Sequence, residues 1–448
     1  MKSGKRVAFL SLGCDKNRVD TEYMLGLLQN EGYRIVQETE TADFVVVNTC
    51  AFLEAAREES IDAILSLSAD RPARQKLIVT GCLPEKYLDE LRAGLPEADA
   101  FLGIEAGRDL LTVLDRLERQ GAEESSFSLM RGTHEETFES HARVLTTPPH
   151  LAYLKIADGC DNRCTYCLIP SIRGKYRSVP LADLVAEAQI LVSEGVTELV
   201  LVAQDLTRYG ADLEEKPSLA DLIRALSALE DLVWIRLMYC YPEGVTEELI
   251  AEIRDNPKVA KYLDIPLQHV SDGVLRRMGR RSFRAEIEKL IQTLRREIPD
   301  IAIRSTFMVG FPGETEADFE ELLAFLRTYR LEHAGFFAYS DEEDAPSFRL
   351  PDKVPEQVKK ERLERALDLA ESLQASRLEQ RIGKTFRAVC DGADFEADCF
   401  VGRTQGEAPD VDPRLRLSSE GEIRSGEYYD VLVTGRQGTE LLAKILTR

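Results

Sequence analysis

The chain has 448 residues, 44% of them apolar and 30% charged, and a net charge of −22. That length exceeds one ordinary domain and predicts two or three, each with its own core. The acidity argues against a surface built to grip nucleic-acid phosphates and favours a basic macromolecular partner, although acidity for solubility alone also fits. No apolar run reaches the roughly 18 residues of a membrane-spanning helix. The basic start and short apolar stretch of the N-terminus read as a first strand and not as a signal peptide. Nine cysteines, an odd number in a large chain, predict thiolates in a reducing cytoplasm and not a disulfide framework.

Apolar runs at 6–12, 43–48 and 76–80 end at Gly13-Cys14, Thr49-Cys50 and Gly81-Cys82. Helical periodicity fills the intervals, as at 21–31 and 54–67. Strands alternating with helices predict a parallel α/β domain over 1–120. Parallel strands share one C-terminal edge, where ligands bind. Cys14, Cys50 and Cys82 are therefore expected to converge, although three separate core cysteines would also fit. Residues 121–150 are polar and aperiodic and read as a linker with one or two short elements.

Six apolar runs follow, at 151–157, 198–203, 233–238, 262–266, 301–309 and 335–339, with helical patterns between them. Six β/α units fall short of a closed eight-fold barrel, so 151–380 is expected to be a partial (β/α)6 barrel working at its strand C-terminal ends. Residues 355–380 read as a charge-rich closing helix with Leu363, Leu367 and Ala370 on one apolar stripe. The remainder, 381–448, has short β-like runs at 385–390, 395–401, 428–434 and 440–447, separated by Gly, Asp and Pro. That pattern predicts a small antiparallel β-barrel, with Cys390 and Cys399 as core thiols.

The barrel-mouth positions carry the chemistry. Cys160, Cys164 and Cys167 place three thiolates on one short loop, enough to hold a cubane iron–sulfur cluster with its fourth iron open. A zinc site needs a fourth ligand; His150, the nearest histidine, precedes the strand, and no distant cysteine pair exists. Candidate cofactor contacts are Gln204, Arg236, Gln268 and the backbone of Gly310, Phe311 and Gly313, within Gly310-Phe-Pro-Gly-Glu314. A generic turn is the alternative for that last motif. His269 serves equally well as a contact or as a structural residue. Arg236 and Arg304 sit inside strands, where an inward guanidinium could meet a carboxylate and an outward one would be surface charge. Trp234 reads as packing.

The compact spacing is that of the radical S-adenosylmethionine enzymes, and the chain resembles them; Tyr166 matches the aromatic position before their third cysteine. The whole chain resembles the methylthiotransferases, through Ser11-Leu-Gly-Cys-Asp-Lys-Asn17, Asn48-Thr-Cys50, Gly81-Cys-Leu83, the compact triad and Gly310-Phe-Pro-Gly-Glu314. The resemblance implies S-adenosyl-L-methionine, a 4Fe–4S cluster on Cys160, Cys164 and Cys167, and an auxiliary 4Fe–4S cluster on Cys14, Cys50 and Cys82. It also implies a C-terminal TRAM barrel and an electron donor external to the chain. One branch of that family modifies an adenosine in tRNA. The other modifies the β-carbon of an aspartate in the twelfth small-subunit ribosomal protein. The stretch Cys167-Leu-Ile-Pro-Ser-Ile-Arg-Gly-Lys175, with Tyr239-Cys-Tyr-Pro242 and Glu407-Ala-Pro-Asp-Val-Asp412, resembles the ribosomal-protein branch. Within 381–448, Lys and Arg total 10 and Asp and Glu total 12, which suits a basic protein better than tRNA. Two departures stand out: Asp15 where proline is usual, and Glu343-Asp-Ala-Pro346 where Glu-Gly-Thr-Pro is usual. The first is expected to alter the turn at Cys14, the second to touch barrel closure.

Overall fold

A computed structural model of the chain describes residues 4–69, 71–104, 107–119, 126–130 and 143–446. The chain divides into two compact units: 1–146 with 157–162 and 167–187, and 147–156 with 163–166 and 188–448.

In the first unit, β1 (Arg6–Ser11), β2 (Arg34–Ile35), β3 (Phe44–Thr49), β4 (Lys76–Gly81), β5 (Ala100–Leu102) and β6 (Phe127–Leu129) form one parallel sheet. Its order is β2-β1-β3-β4-β5-β6. Every residue of β3 is buried, as a central parallel strand covered on both faces requires. Val7, Val46, Ile78 and Leu102 meet Met24 and Leu28 of the helix Asp15–Asn30, and Leu110 and Leu114 of the helix Gly107–Arg119. Strands β2, β5 and β6 span only two or three residues, too few to show a period in sequence. β6 lies within the stretch expected to be a linker. Arg143, at the end of that stretch, is buried and pairs with Glu22 and Glu187; residues 131–142 lie outside the described ones.

β7 (Leu151–Lys155) opens the second sheet. The run expected at 151–157 breaks after Lys155. β8 (Ala157–Asp158) and β9 (Arg177–Ser178) form an antiparallel ribbon belonging to the first unit. In the second unit, β10 (Glu198–Val202), β11 (Trp234–Leu237), β12 (Val259–Asp264), β13 (Ala302–Val309) and β14 (His333–Ala338) follow β7 in sequential, all-parallel order. This is the six-stranded partial barrel. The helix Glu356–Glu379 packs on it through Lys359, Arg362, Ala366 and Leu378. Leu367 is 45% exposed while Leu363 and Ala370 are half-buried, so the apolar stripe lies at the edge of the packing face. Lys359 and Arg362 bury their stems and carry their charge to Tyr339 O and Glu314.

β15 (Thr385–Asp394), β16 (Cys399–Thr404), β17 (Leu415–Ser418), β18 (Tyr428–Gln437) and β19 (Glu440–Ile445) close into a barrel in the order β15-β16-β17-β19-β18. The β17–β19 pair is parallel, a departure from the all-antiparallel expectation. Cys390 sits in the barrel core, whereas Cys399 is only half-buried at the start of β16.

This small barrel docks on the N-terminal ends of the larger barrel's strands, opposite the working face. Trp234, the first residue of β11, meets Tyr428 edge-on with ring centroids 4.9 Å apart. The Tyr262 hydroxyl donates to Asp412 at 2.7 Å, and His333 Nε2 lies 2.7 Å from the Gly406 carbonyl. At the centre of the interface, Glu198 is fully buried between Arg236 Nε at 2.9 Å and Arg403 Nη2 at 2.9 Å. Arg403 also pairs with Asp391, which His150 contacts. Among the described residues, no helix is long and apolar enough to cross a membrane.

Candidate active site

In the first unit, β1, β3 and β4 are neighbours, and their register sets Ser11 opposite Asn48 and Thr49 opposite Gly81. Their C-terminal ends therefore lie level. Cys14, Cys50 and Cys82 leave from that one edge, as the parallel order dictates. Cys14 caps the helix Asp15–Asn30 in an extended conformation, and Cys82 is the first residue of the helix Cys82–Gly94. The backbone before each is unusual. Gly13 has φ +90°, and a Cβ there would stand 2.8 Å from Cys50 Cβ. Gly81 has φ +98°, and a Cβ there would fall 2.3 Å from Asn48 Oδ1.

Side-chain amides fasten the three strand ends together. Asn17 Nδ2 donates to Leu12 O at 3.1 Å and to Thr49 O at 2.9 Å. Asn48 Nδ2 donates to Asn17 O at 2.9 Å, and Thr49 Oγ1 donates to Thr80 O at 2.6 Å. Asp15 follows Cys14 at the start of the helix Asp15–Asn30. Its carboxylate accepts the Lys16 N–H and pairs with the Lys16 ammonium, and Cys14 keeps its capping role.

The thiols feel one another. Burial pushes the Cys50 thiol up, with Cys14 adding to the shift. Burial pushes Cys82 up to about 12; Arg173 opposes the shift, and Cys14 and Cys50 add to it. Cys14 acts on Cys50, and both act on Cys82, so the three sulfurs share one small space, and a bound cationic group would stabilise their thiolates. No group of three or more His, Cys, Asp or Glu among the described residues is arranged for a single metal ion. The donor set suits a polynuclear cluster, in which each thiolate takes a separate iron.

The compact triad's loop is shared between the units. In the first, Cys160 is buried and its N–H donates to Gly174 O at 3.1 Å. The Asn162 N–H points at Cys160 Sγ at 3.4 Å, and the Ile169 N–H at Cys167 Sγ at 3.4 Å. Amide donors of this kind stabilise ligating thiolates and tune a cluster's potential. In the second unit, Cys164 Sγ lies 3.8 Å from the Tyr241 hydroxyl and 3.9 Å from Arg280 Nη1. Arg280 is buried, stacks on Tyr241 at 4.3 Å and donates to Pro266 O at 2.7 Å. Ser347 N donates to Thr165 O. The segment around Ala345 and Pro346 thus packs against the loop of Cys164.

The other expected contacts divide. Gln204, Tyr239 and Gln268 lie just beyond the C-terminal ends of β10, β11 and β12, and Tyr239 and Gln268 hold left-handed backbone at φ 61° and 70°. Such strain in non-glycine residues concentrates at functional sites. Asp264 accepts the Tyr239 N–H at 3.1 Å. Tyr166 packs edge-on to Phe311, which is fully buried and also meets Tyr339.

The remaining expected contacts have partners within the protein. The Gly310 and Phe311 N–H groups donate to Glu314, at 2.5 and 3.1 Å, and Glu314 is held by Arg362. Those N–H groups are therefore committed within the turn. Gly313 N donates to Asp352 O, and Gly313 packs under the Arg277 guanidinium. Arg236 is buried among Glu198, Gln405 O, Thr404 O and the Tyr262 ring, at the end of the barrel away from the mouth. It did meet a carboxylate, but a structural one. Arg304 likewise faces Asp412, and His269 is wholly buried with Nδ1 accepting Ser271 N–H. Sequence reasoning missed Asn17, Asn48 and Arg173 as parts of the site. All three stand within the quoted motifs, but only the fold shows what they bind.

Family models match three stretches: an uncharacterized protein family, UPF0004, at 6–103; the radical SAM superfamily at 154–326; and the TRAM domain at 382–446. A protein of Desulforudis audaxviator named "Ribosomal protein uS12 methylthiotransferase RimO" is 48% identical over 99% of this chain and 97% of its own length. The chain belongs to the RimO family. A RimO of Lachnoclostridium phytofermentans is 42% identical over 98% of this chain and 99% of its own length. Among solved structures, the cobalamin-dependent S-adenosylmethionine radical enzyme OxsB shares the fold, at 13% identity and a TM-score of 0.51. That match covers 82% of this chain and 56% of OxsB. RimO membership makes the chain a radical S-adenosylmethionine methylthiotransferase and implies a 4Fe–4S cluster with S-adenosylmethionine.

Proposed function

We propose that this RimO-family enzyme attaches a methylthio group to the β-carbon of an aspartate in ribosomal protein uS12, in the cytoplasm, using two 4Fe–4S clusters. Cys160, Cys164 and Cys167 would hold the first and Cys14, Cys50 and Cys82 the second. The observation that carries this reading is the convergence of Cys14, Cys50 and Cys82 at three adjacent parallel strand ends, in a chain related end to end to proteins named for uS12.

Held by Cys160, Cys164 and Cys167, the first cluster would supply the electron for reductive cleavage of S-adenosylmethionine. The protein's part is to bind, orient and shield. Arg280 places a fixed positive charge beside Cys164 Sγ, where a ligating sulfur would meet it. Tyr166, on the loop itself, packs edge-on to the buried Phe311, which anchors the loop. Gln204, Tyr239 and Gln268 stand at the strand ends where a substrate carboxylate or the methionine moiety would be oriented. The C-terminal barrel, seated at the opposite end of the strands, leaves that mouth uncovered. Its acidic balance suits a basic ribosomal protein.

The test is uS12 isolated from a strain lacking this gene and from the same strain complemented. Complementation with the wild-type chain should restore the methylthio mass on uS12, and a Cys14→Ala chain should not. A methylthio nucleoside lost from tRNA with unchanged uS12 would favour tRNA as substrate.

A further inference from the structure

Arg173 places a guanidinium against the dispersed triad, and it comes from the segment that carries the compact one. It closes the short helix Ile169–Ile172, where its N–H donates to Ile169 O at 2.8 Å, and its side chain is 2% exposed. Nη1 pairs with Asp158 at 2.7 Å. Nη2 reaches Asn17 Oδ1 at 2.5 Å, Asp20 at 3.1 Å and Cys82 Sγ at 3.8 Å. Asn17 in turn lies 3.7 Å from Cys82 Sγ. Asp158 also accepts the Gly159 N–H at 2.9 Å, immediately before Cys160. All of these residues belong to the first unit.

A guanidinium is always charged. Buried beside two carboxylates, Arg173 is over-determined in position and cannot turn to water. Its Nη2 is the cation that a ligating Cys82 sulfur would meet. Hydrogen bonds and positive charge at cluster sulfurs favour the more negative, reduced state and raise the potential. Asp20 works against this from the same side.

We propose that Arg173 is a positioning and tuning residue for the auxiliary cluster, raising its reduction potential through Cys82 while Asp158 ties the same guanidinium to the approach of Cys160. The inference rests on the second cluster proposed above. The test uses the full chain with Cys160, Cys164 and Cys167 replaced by alanine, so that only the dispersed triad can bind iron. Reconstituted anaerobically, it is titrated by electron paramagnetic resonance. Arg173→Gln should favour the oxidised state at least tenfold, a fall of about 59 mV for a one-electron couple. Arg173→Lys should keep most of the parent potential. Because Arg173→Gln leaves buried carboxylates unpaired and can unfold the chain, Asp20→Asn is the second arm. It removes a negative charge, keeps the Asp158 pair and should raise the potential. Parent, Lys and Asn forms with cluster present and one common potential would overturn the inference alone. A parent that binds no iron or sulfide would overturn the second cluster and the inference with it.

Discussion

Replacing Gly81 by alanine should cost the auxiliary triad its geometry. Gly81 has φ +98° and ψ −155°, a region of backbone space occupied almost only by glycine, and holding another residue there costs about 1–3 kcal/mol. Sterics add to this. The new Cβ would stand 2.3 Å from Asn48 Oδ1, 2.6 Å from Thr49 O and 2.8 Å from Thr49 N. Two of those three atoms are backbone, so the clash cannot be relieved by rotating a side chain. Thr49 O also accepts from Asn17, and Thr49 Oγ1 holds Thr80, so any shift loosens the fastening of all three strand ends. The total is expected to reach about 3 kcal/mol, in the upper part of the range for single substitutions. The relief should come from moving Cys82 away from Cys50. Two measurements check it: urea unfolding of the apo chain, and iron and sulfide per chain after anaerobic reconstitution. The variant should lose stability and about half of its iron, while cleaving S-adenosylmethionine at the wild-type rate when supplied with reductant. A variant with full iron and stability within about 0.5 kcal/mol of wild type would refute the reasoning.

Glu198→Gln should destabilise the docked C-terminal barrel by about 3–5 kcal/mol, because Arg236 and Arg403 lose the buried anion between them. Urea unfolding followed at Trp234, which packs on Tyr428, reads this directly, and a change under about 1 kcal/mol contradicts it. Burial pushes His269 down from 6.5 to about 4, so the folded chain keeps it neutral while the unfolded chain protonates it below pH 6.5. Its contribution is complete above pH 6.5 and is lost as pH falls toward 4, about 3 kcal/mol in all at about 1.4 kcal/mol per pH unit. His269→Gln should flatten the acid limb of a stability–pH profile; an unchanged limb assigns it to other groups. Glu314→Ala should leave the Gly310 and Phe311 amides unpaired, at about 1–3 kcal/mol, and speed hydrogen exchange at both. Unchanged exchange would show that the turn is held by Pro312 and its packing.

The larger elements were legible because their periodicity is long. Six parallel β/α units, the sheet edge bearing Cys14, Cys50 and Cys82, and the small terminal barrel all follow from apolar runs and the residues that end them. Strands of two or three residues were not, since β2, β5 and β6 are defined by pairing and not by pattern. The site divides along similar lines. Cysteine spacing is local and readable. The partner of an arginine is not: Arg236 and Arg173 look alike in sequence, yet one is bound by Glu198 and the other faces Cys82. Glycine motifs mislead for the same reason. Gly310-Phe-Pro-Gly-Glu314 offers bare amides in sequence, but its own Glu314 takes two of them. The closing helix presents an apolar stripe, yet it packs through Lys359 and Arg362, whose stems are apolar and whose heads find Tyr339 O and Glu314.

The most direct test is a single anaerobic reaction containing the reconstituted chain, reductant, S-adenosylmethionine, purified uS12 and bulk tRNA. Intact-mass and peptide analysis should find one methylthio group on an aspartate of uS12, formed by the wild-type chain and not by a Cys82→Ala chain that still cleaves S-adenosylmethionine. Cleavage by both chains with uS12 unmodified, or methylthio found in tRNA instead, would contradict the account.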